Sequence, residues 1–368
     1  MIERVLIYDP VPFKNRSKTV MKTIVAELPS SIDVWVISND EKSWCNSNVH
    51  FVPLFSPPFL QNKTTGILYS IKHFIYLFSL ISNMMKMKRF RKVIGFSGPS
   101  VDLSLYLLSE LVHIEIIQLI QSGIANSRIT DFSLKRASQI FYLPSTYHSI
   151  SQVLTSQNND NYTANKKRIP VVNGVNCSTN NLKESNDNFG FLTAASLLRW
   201  KHLELFVDTI SKLHNTPEKI YKNTVKNSAS VCYIQPQSDA YLNINIPNKV
   251  NNVHREIQPK SLNNLSANSS IFISSSKDKP FGRSILESMA AGLTIIIPAD
   301  NAYWDQHLTD GYDCVKYSPN NRESLSQALT RLVDNPTLLL KISQQAKLSA
   351  HQYYNLHCYS QILKCIPN

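Results

Sequence analysis

The stretch Lys279-Pro280-Phe281-Gly282-Arg283-Ser284-Ile285-Leu286-Glu287 is the part of this 368-residue sequence best suited to chemistry. It follows an apolar run of strand length, Ser270 to Ser274 (SIFIS), and leads to another, Thr294 to Pro298 (TIIIP). Gly282 permits a close backbone approach. A helix opening at Arg283 and Ser284 offers free amides and a positive dipole end to an anion. Glu287 lies one turn into that helix, where a carboxylate suits two hydroxyl hydrogens such as those of a ribose diol. The same spacing also suits a plain ion pair between Arg283 and Glu287, and a strand, loop and helix with one glycine occurs in any βαβ unit. The residues alone leave both readings open.

The elements that must position this segment follow an α/β rhythm. Strands are expected at Arg4 to Tyr8, Asp33 to Ile37, Lys92 to Phe96, Ile114 to Ile120 and Gln139 to Leu143, with helices at Ser17 to Leu28 and Asp102 to Leu111. The polar, Asn-rich stretch Thr155 to Arg168 reads as an exposed connection near a domain boundary, and Asn173-Gly174 as a turn. The second half repeats the rhythm. Its strands are expected at Phe189 to Thr193, Ser230 to Ile234, Asn252 to Ile257, Ser270 to Ser274 and Thr294 to Pro298. Helices are expected at Leu203 to Leu213, Ser284 to Ala291 (capped by Gly292), Arg322 to Val333 and Pro336 to Tyr354. Strands separated by helices imply parallel sheets, and ligands of such sheets bind at the carboxyl ends of the strands. The expectation is α/β: two Rossmann-like domains facing each other across a cleft, 1–168 and 169–345.

Composition narrows the partners. Hydrophobic residues make up 43% of the chain, enough for real cores, while the net charge of +12 favours anionic ligands. No nucleic-acid module signature is present, so nucleic acid is not expected. The six cysteines form no C-x-x-C pair, which fits free thiols in a reducing compartment. With no signal-peptide apolar region at MIERVLIYDP, the expected location is the cytoplasm. One segment, 66–92, suggests a peripheral contact with the inner face of an anionic membrane: an apolar run interrupted by Lys72 and His73, then a basic flank. The plainer reading, a core helix with a solvated basic end, is the one the residues favour. No G-x-S-x-G, no P-loop and no metal-ligand spacing occurs; His351, His357 and Cys358 read as a helical surface.

PFGRSILESMAAGLTIIIP resembles the donor-site signature of the retaining, GT-B-fold glycosyltransferases of family 4. Three further segments resemble that family in the same order. They are IPVVNGVN, ASLLRWKHLELFVDTI, and Asp310-Gly311 with CVKYSPNNRESLSQAL, and the matches together cover roughly Ile169 to Tyr354. The resemblance implies sugar transfer from a nucleoside diphosphate sugar, UDP- or GDP-linked, with no other cofactor and no metal. Glu287 then holds the ribose, while Phe281, Gly282, Arg283 and Ser284 line the donor phosphates. Lys201, with Arg199 nearby, neutralises the pyrophosphate. The family's terminal helix packs back on the first domain, here 346–368.

Three positions depart from the family pattern. The first Glu of its donor pair falls on Lys279, its phosphate-binding Arg on Ser196, and its active-site His on Gln121. Gln121 can hydrogen-bond a sugar hydroxyl but is no acid or base near neutral pH. Lys279 would suit a donor bearing a carboxylate, such as a uronic acid. Lys279, Glu287 and Gln121 are the candidate catalytic residues. Lys14, Arg16 and Lys18, in the loop after the first strand, are candidates for a glycan or lipid-linked acceptor. The expected activity is retaining glycosyl transfer in surface polysaccharide synthesis. The departures keep a non-catalytic glycosyltransferase-like partner as the alternative; a nucleotide-sugar epimerase lacks its acid/base set.

Overall fold

The computed structural model describes residues 3–45, 47–87, 90–155, 167–176, 190–196, 203–215, 229–234, 253–257 and 263–366. The chain forms two units, Met1–Gly174 with Asn355–Asn368, and Val175–Tyr354.

The first unit is built on seven parallel strands: β1 (Glu3–Asp9), β2 (Ile32–Ser38), β3 (His50–Pro53), β4 (Lys92–Gly95), β5 (Glu115–Ile120), β6 (Gln139–Tyr142) and β7 (Lys167–Pro170), in the order β3-β2-β1-β4-β5-β6-β7. Alternation along each strand feeds two cores. Val5, Ile7, Ile94, Ile117, Leu119 and Phe141 face one side, packed by Val20, Met21 and Ile24 of the Arg16–Ala26 helix. Leu6, Tyr8, Val93, Ile116 and Ile140 face the other, under Tyr76, Leu77 and Leu80 of the Gly66–Lys86 helix. Burial on both faces is the setting of parallel sheets. β3 and β7 were not foreseen. β3 is a short edge strand, and β7 occupies the end of the stretch read as a connection, whose residues 156–166 lie outside the described ones.

The second unit has six parallel strands: β8 (Phe191–Ser196), β9 (Ala229–Ile234), β10 (Val253–Ile257), β11 (Ile271–Ile273), β12 (Thr294–Pro298) and β13 (Val315–Tyr317), in the order β10-β9-β8-β11-β12-β13. Counted within the unit this is 3-2-1-4-5-6, the doubly wound order, and the first six strands of the other sheet repeat it. The order reverses between β1 and β4 in one sheet and between β8 and β11 in the other. In doubly wound sheets ligands bind outside the carboxyl ends of the strands at such a reversal.

The chain re-enters the first unit at Asn355, not at 346. The Pro336–His351 helix stays in the second unit because Leu339 and Ile342 belong to its core and Ser343 Oγ donates to the Gly292 carbonyl at 2.7 Å. The return is tied by Tyr359, which accepts from the Gly174 amide at 2.9 Å, and by Lys92, whose Nζ donates to the Cys365 carbonyl at 2.7 Å. Tyr359, Ile362 and Ile366 close the first core.

Lys18 is not in the basic loop. It is the third residue of the Arg16–Ala26 helix, 1% exposed, with Nζ 2.9 Å from Asp9 Oδ2 and 2.6 Å from Asp40 Oδ2. Its charge is consumed inside the fold, where it joins the ends of β1 and β2; it is no acceptor contact. Lys14, in the loop, and Arg16, the first residue of the helix, are exposed.

A further buried carboxylate sits near the end of β4. Asp102 Oδ2 accepts from the amides of Ser97 and Gly98 (3.0 and 3.2 Å) and from Gln118 Nε2 (3.1 Å). Burial pushes its pKa up from 3.8 to about 8, against the lowering effect of these donors. The folded state therefore favours the protonated form. Its contribution is complete below the unfolded value and is lost as pH rises through about 8. Asp102→Asn keeps an acceptor for the two amides and carries no charge. Thermal midpoints measured across this range should decline with pH in the parent and be flatter in the variant.

Candidate active site

The site grows out of β11. Its three residues are fully buried between β8 and β12, and Thr193 Oγ1 of β8 donates to the Ile273 carbonyl at 2.8 Å. Ser274, Ser275 and Ser276 continue it, buried. The chain then turns outward through Asp278, which takes a positive φ of 52° and donates its amide to Asp300 Oδ2 at 2.8 Å. Lys279 turns back in. It is 8% exposed, with Nζ donating to Ser274 Oγ at 2.9 Å. The narrow crevice it lines is shared with Asp300 and Asp305. Asp278 stays outside, so Lys279 takes the inward place of the donor pair.

Phe281 is also inward. Its ring is 2% exposed and packs on Tyr303 (4.9 Å between centroids), Trp304 (5.3 Å) and Tyr353 (6.2 Å). It supports the loop from beneath rather than presenting a face to a ligand. Trp304 Nε1 donates to the Gly282 carbonyl at 3.3 Å. Gly282 has φ 70° and ψ 58°, the left-handed conformation. A Cβ there would lie 3.0 Å from Ile285 Cδ1 and 3.3 Å from both Lys279 Cδ and Trp304 Cδ1. Only glycine fits both the dihedrals and the space.

That turn aims the Arg283–Ala290 helix. Ile285, Leu286 and Met289 anchor its buried face, while no side chain caps its first turn. The N-cap position is a glycine, so no N-cap side chain competes with an anion for the positive dipole end of this helix. Arg283 Nε contacts Glu287 Oε1 at 2.7 Å, with side chains 13% and 29% exposed. The ion pair that spacing allowed is thus present, and it holds Glu287 one turn from the helix mouth. Arg283, Ser284 and Glu287 form one group with Gly282; Lys279 and Phe281 brace it.

The upstream motif leaves from the neighbouring strand. β8 ends at Ser196 beside β11, and Arg199 and Lys201 lie outside the described residues. In the first unit, Gln121 follows β5 at the carboxyl edge of that sheet. It is 7% exposed, and neither amide atom has a hydrogen-bond partner. The aromatic support from Tyr303, Trp304 and Tyr353 was missed in the sequence. Those residues lie in segments with no spacing that links them to Phe281. Among the described residues no group of three His, Cys, Asp or Glu side chains could hold a metal ion.

Gly282→Ala places an L-residue in the left-handed region, a cost of about 1–2 kcal/mol. It also tilts the helix mouth. The variant should unfold at lower temperature by scanning calorimetry and bind nucleotide more weakly.

Residues 179–349 match the profile of glycosyl transferases group 1. No curated protein matches the sequence. In fold the chain is similar to Anabaena Alr3699/HepE, solved with UDP and glucose, at 12% identity and a TM-score of 0.72 over 99% of each chain. It is likewise similar to a glycosyltransferase from Rickettsia africae (15% identity, TM-score 0.67, 99% of this chain and 98% of that one). The third is sucrose-phosphate synthase from Thermosynechococcus elongatus (11%, TM-score 0.69, 99% and 98%). The profile spans nearly the whole second unit, and the fold likeness spans the whole chain. The second unit thus matches the glycosyl transferases group 1 over nearly its whole length, in a chain whose fold is that of GT-B glycosyltransferases.

Proposed function

We propose that this protein transfers a sugar from a nucleoside diphosphate sugar, UDP-linked in the first instance, to a glycan, lipid-linked or other glycoconjugate acceptor. The observation that carries the proposal is the uncapped helix mouth at Gly282 to Ser284, at the β8/β11 reversal, with Glu287 one turn inside. HepE, the structural relative solved with UDP and with UDP-glucose, supports the choice of UDP.

The chemistry follows from charge. As the glycosidic bond breaks, the leaving diphosphate gains negative charge, and fixed amides, a dipole and cations stabilise it. The amides of Arg283 and Ser284 supply the first part, the Arg283 guanidinium and, by family resemblance, Lys201 the rest. Glu287 receives the ribose hydroxyls with Arg283 fixing its rotamer. Transfer proceeds with retention and without a metal. The donor phosphate accepts the acceptor's proton, so no protein base is required and a glutamine at position 121 is compatible with turnover.

The bound state of Lys279 revises the sugar. Its ammonium is engaged by Ser274, and Asp300 and Asp305 line the same crevice. A donor carboxylate would meet those acids, so the preferred sugar is a neutral hexose. A neutral sugar and a surface polysaccharide product are also in keeping with the relative WaaB, a lipopolysaccharide outer core galactosyltransferase. The protein works in the cytoplasm, where nucleotide sugars are made.

A panel of UDP- and GDP-sugars tests this by donor hydrolysis and by transfer to lipid-linked and free glycans. UDP-hexoses should turn over faster than UDP-uronic acids. Glu287→Ala should weaken UDP binding by about 1.5–3 kcal/mol, the worth of hydrogen bonds to a charged group. A clear preference for a uronic acid would reverse the assignment of the sugar. The loss of the first donor-site Glu to Lys279 favours a second reading, a non-catalytic glycosyltransferase-like partner. UDP binding with no turnover of any donor would establish that reading.

A further inference from the structure

The Gly66–Lys86 helix turns several polar side chains, beside Leu77 and Leu80, toward the core of the first unit. Lys72 Nζ donates to the Lys63 carbonyl and lies 5.3 Å from the centre of the Tyr69 ring. His73 Nδ1 is 2.8 Å from Ser104 Oγ, and its side chain is buried. Tyr69 donates to the Ser100 carbonyl at 2.7 Å, and the Tyr76 hydroxyl bonds Ser56 Oγ at 2.7 Å. The two residues that break the apolar run are therefore inward anchors.

The opposite face is apolar and uncovered. Ile67 (80% exposed), Ile71 (41%), Phe74 (55%), Phe78 (68%) and Met85 (81%) lie on it. At 3.6 residues per turn these positions fall within an arc of about 60°, along about 27 Å of helix. Phe55 and Phe59, 67% and 70% exposed, come from the preceding segment. A surface helix normally shows water its polar face, and an aromatic stripe of this length marks an interaction surface.

Charge identifies the occupant. Between Glu41 and Asp102 the sequence holds eight lysines and arginines and no acid. Lys63 near one end of the stripe and Lys86 and Arg91 at the other are exposed. Glu115, paired with Arg91 at 3.0 Å, is the acidic group at that end. A second copy seated symmetrically on the stripe would set these basic flanks against each other. A sheet of anionic headgroups over an apolar layer matches both the rings and the charges.

We propose that this face seats the protein on an anionic bilayer, with Phe74 and Phe78 entering the acyl boundary and the basic flank on the headgroups. The helix lies on the membrane and does not cross it: among the described residues no helix is long and apolar enough to span. The proposal is independent of the assigned reaction, since binding needs neither donor nor acceptor.

Co-sedimentation of the full chain with vesicles tests it. The parent should pellet with phosphatidylcholine vesicles containing 30% phosphatidylglycerol, a mixture of about one anionic lipid in three. It should remain in solution with pure phosphatidylcholine, and salt should weaken the binding. F74S/F78S should lose at least about tenfold in affinity through its buried apolar area, with an unchanged thermal midpoint, both side chains being exposed. K86S/R91S should lose about fivefold per charge. Parent protein that stays in solution with anionic vesicles, or a double phenylalanine variant that binds as the parent does, overturns the proposal. So does a concentration-dependent dimer in sedimentation velocity that F74S/F78S abolishes, which would assign the stripe to a second copy.

Discussion

The candidate site depends on one backbone conformation. Gly282 in the left-handed region lets the chain leave the inward-facing pair Lys279 and Phe281 and enter a helix whose first turn has no side-chain cap. Any side chain at that position would meet Ile285, Lys279 and Trp304. The conformation is held from below by the Trp304 hydrogen bond and the aromatic cluster, and from the side by the tether from Asp278 to Asp300. Buried aromatic area thus maintains the turn that starts this helix, whose positive dipole end suits an anion.

The same logic is repeated at larger scale. Each sheet reverses its strand order next to its first strand, the position at which ligands of doubly wound sheets bind. In the second unit β8 and β11 lie side by side, with Phe272 paired to Leu192, so two strands some eighty residues apart in sequence end at the same edge of the sheet. In the first unit the reversal is occupied by buried polar groups: the Lys18 ion pairs after β1 and the Asp102 network after β4. Those groups fix loop geometry and leave Gln121 with an unengaged amide at the end of β5.

Strands buried on both faces announce themselves as apolar runs, so the sheet core and the helix after Gly282 were legible from sequence. What failed had local causes. β3 and β7 are short edge strands with little apolar signal. Lys18 looked solvated because sequence does not show that Asp9 and Asp40 converge on it. Lys72 and His73 looked like interruptions of a buried helix, yet they are its inward face, and the phenylalanines are outside. Hydropathy reports composition along a helix, while the partners Lys63 and Ser104 that allow a lysine and a histidine inside come from elsewhere in the fold. For the site, the Arg283–Glu287 spacing was ambiguous in sequence. The structure contains the pair, so the plain ion-pair reading of that spacing is met.

The most direct test is a crystal structure of the protein with UDP. The diphosphate should sit on the amides of Arg283 and Ser284, and the ribose hydroxyls on the Glu287 carboxylate, with Gly282 still left-handed. UDP bound elsewhere, or a ribose that leaves Glu287 untouched and paired solely with Arg283, would contradict the account.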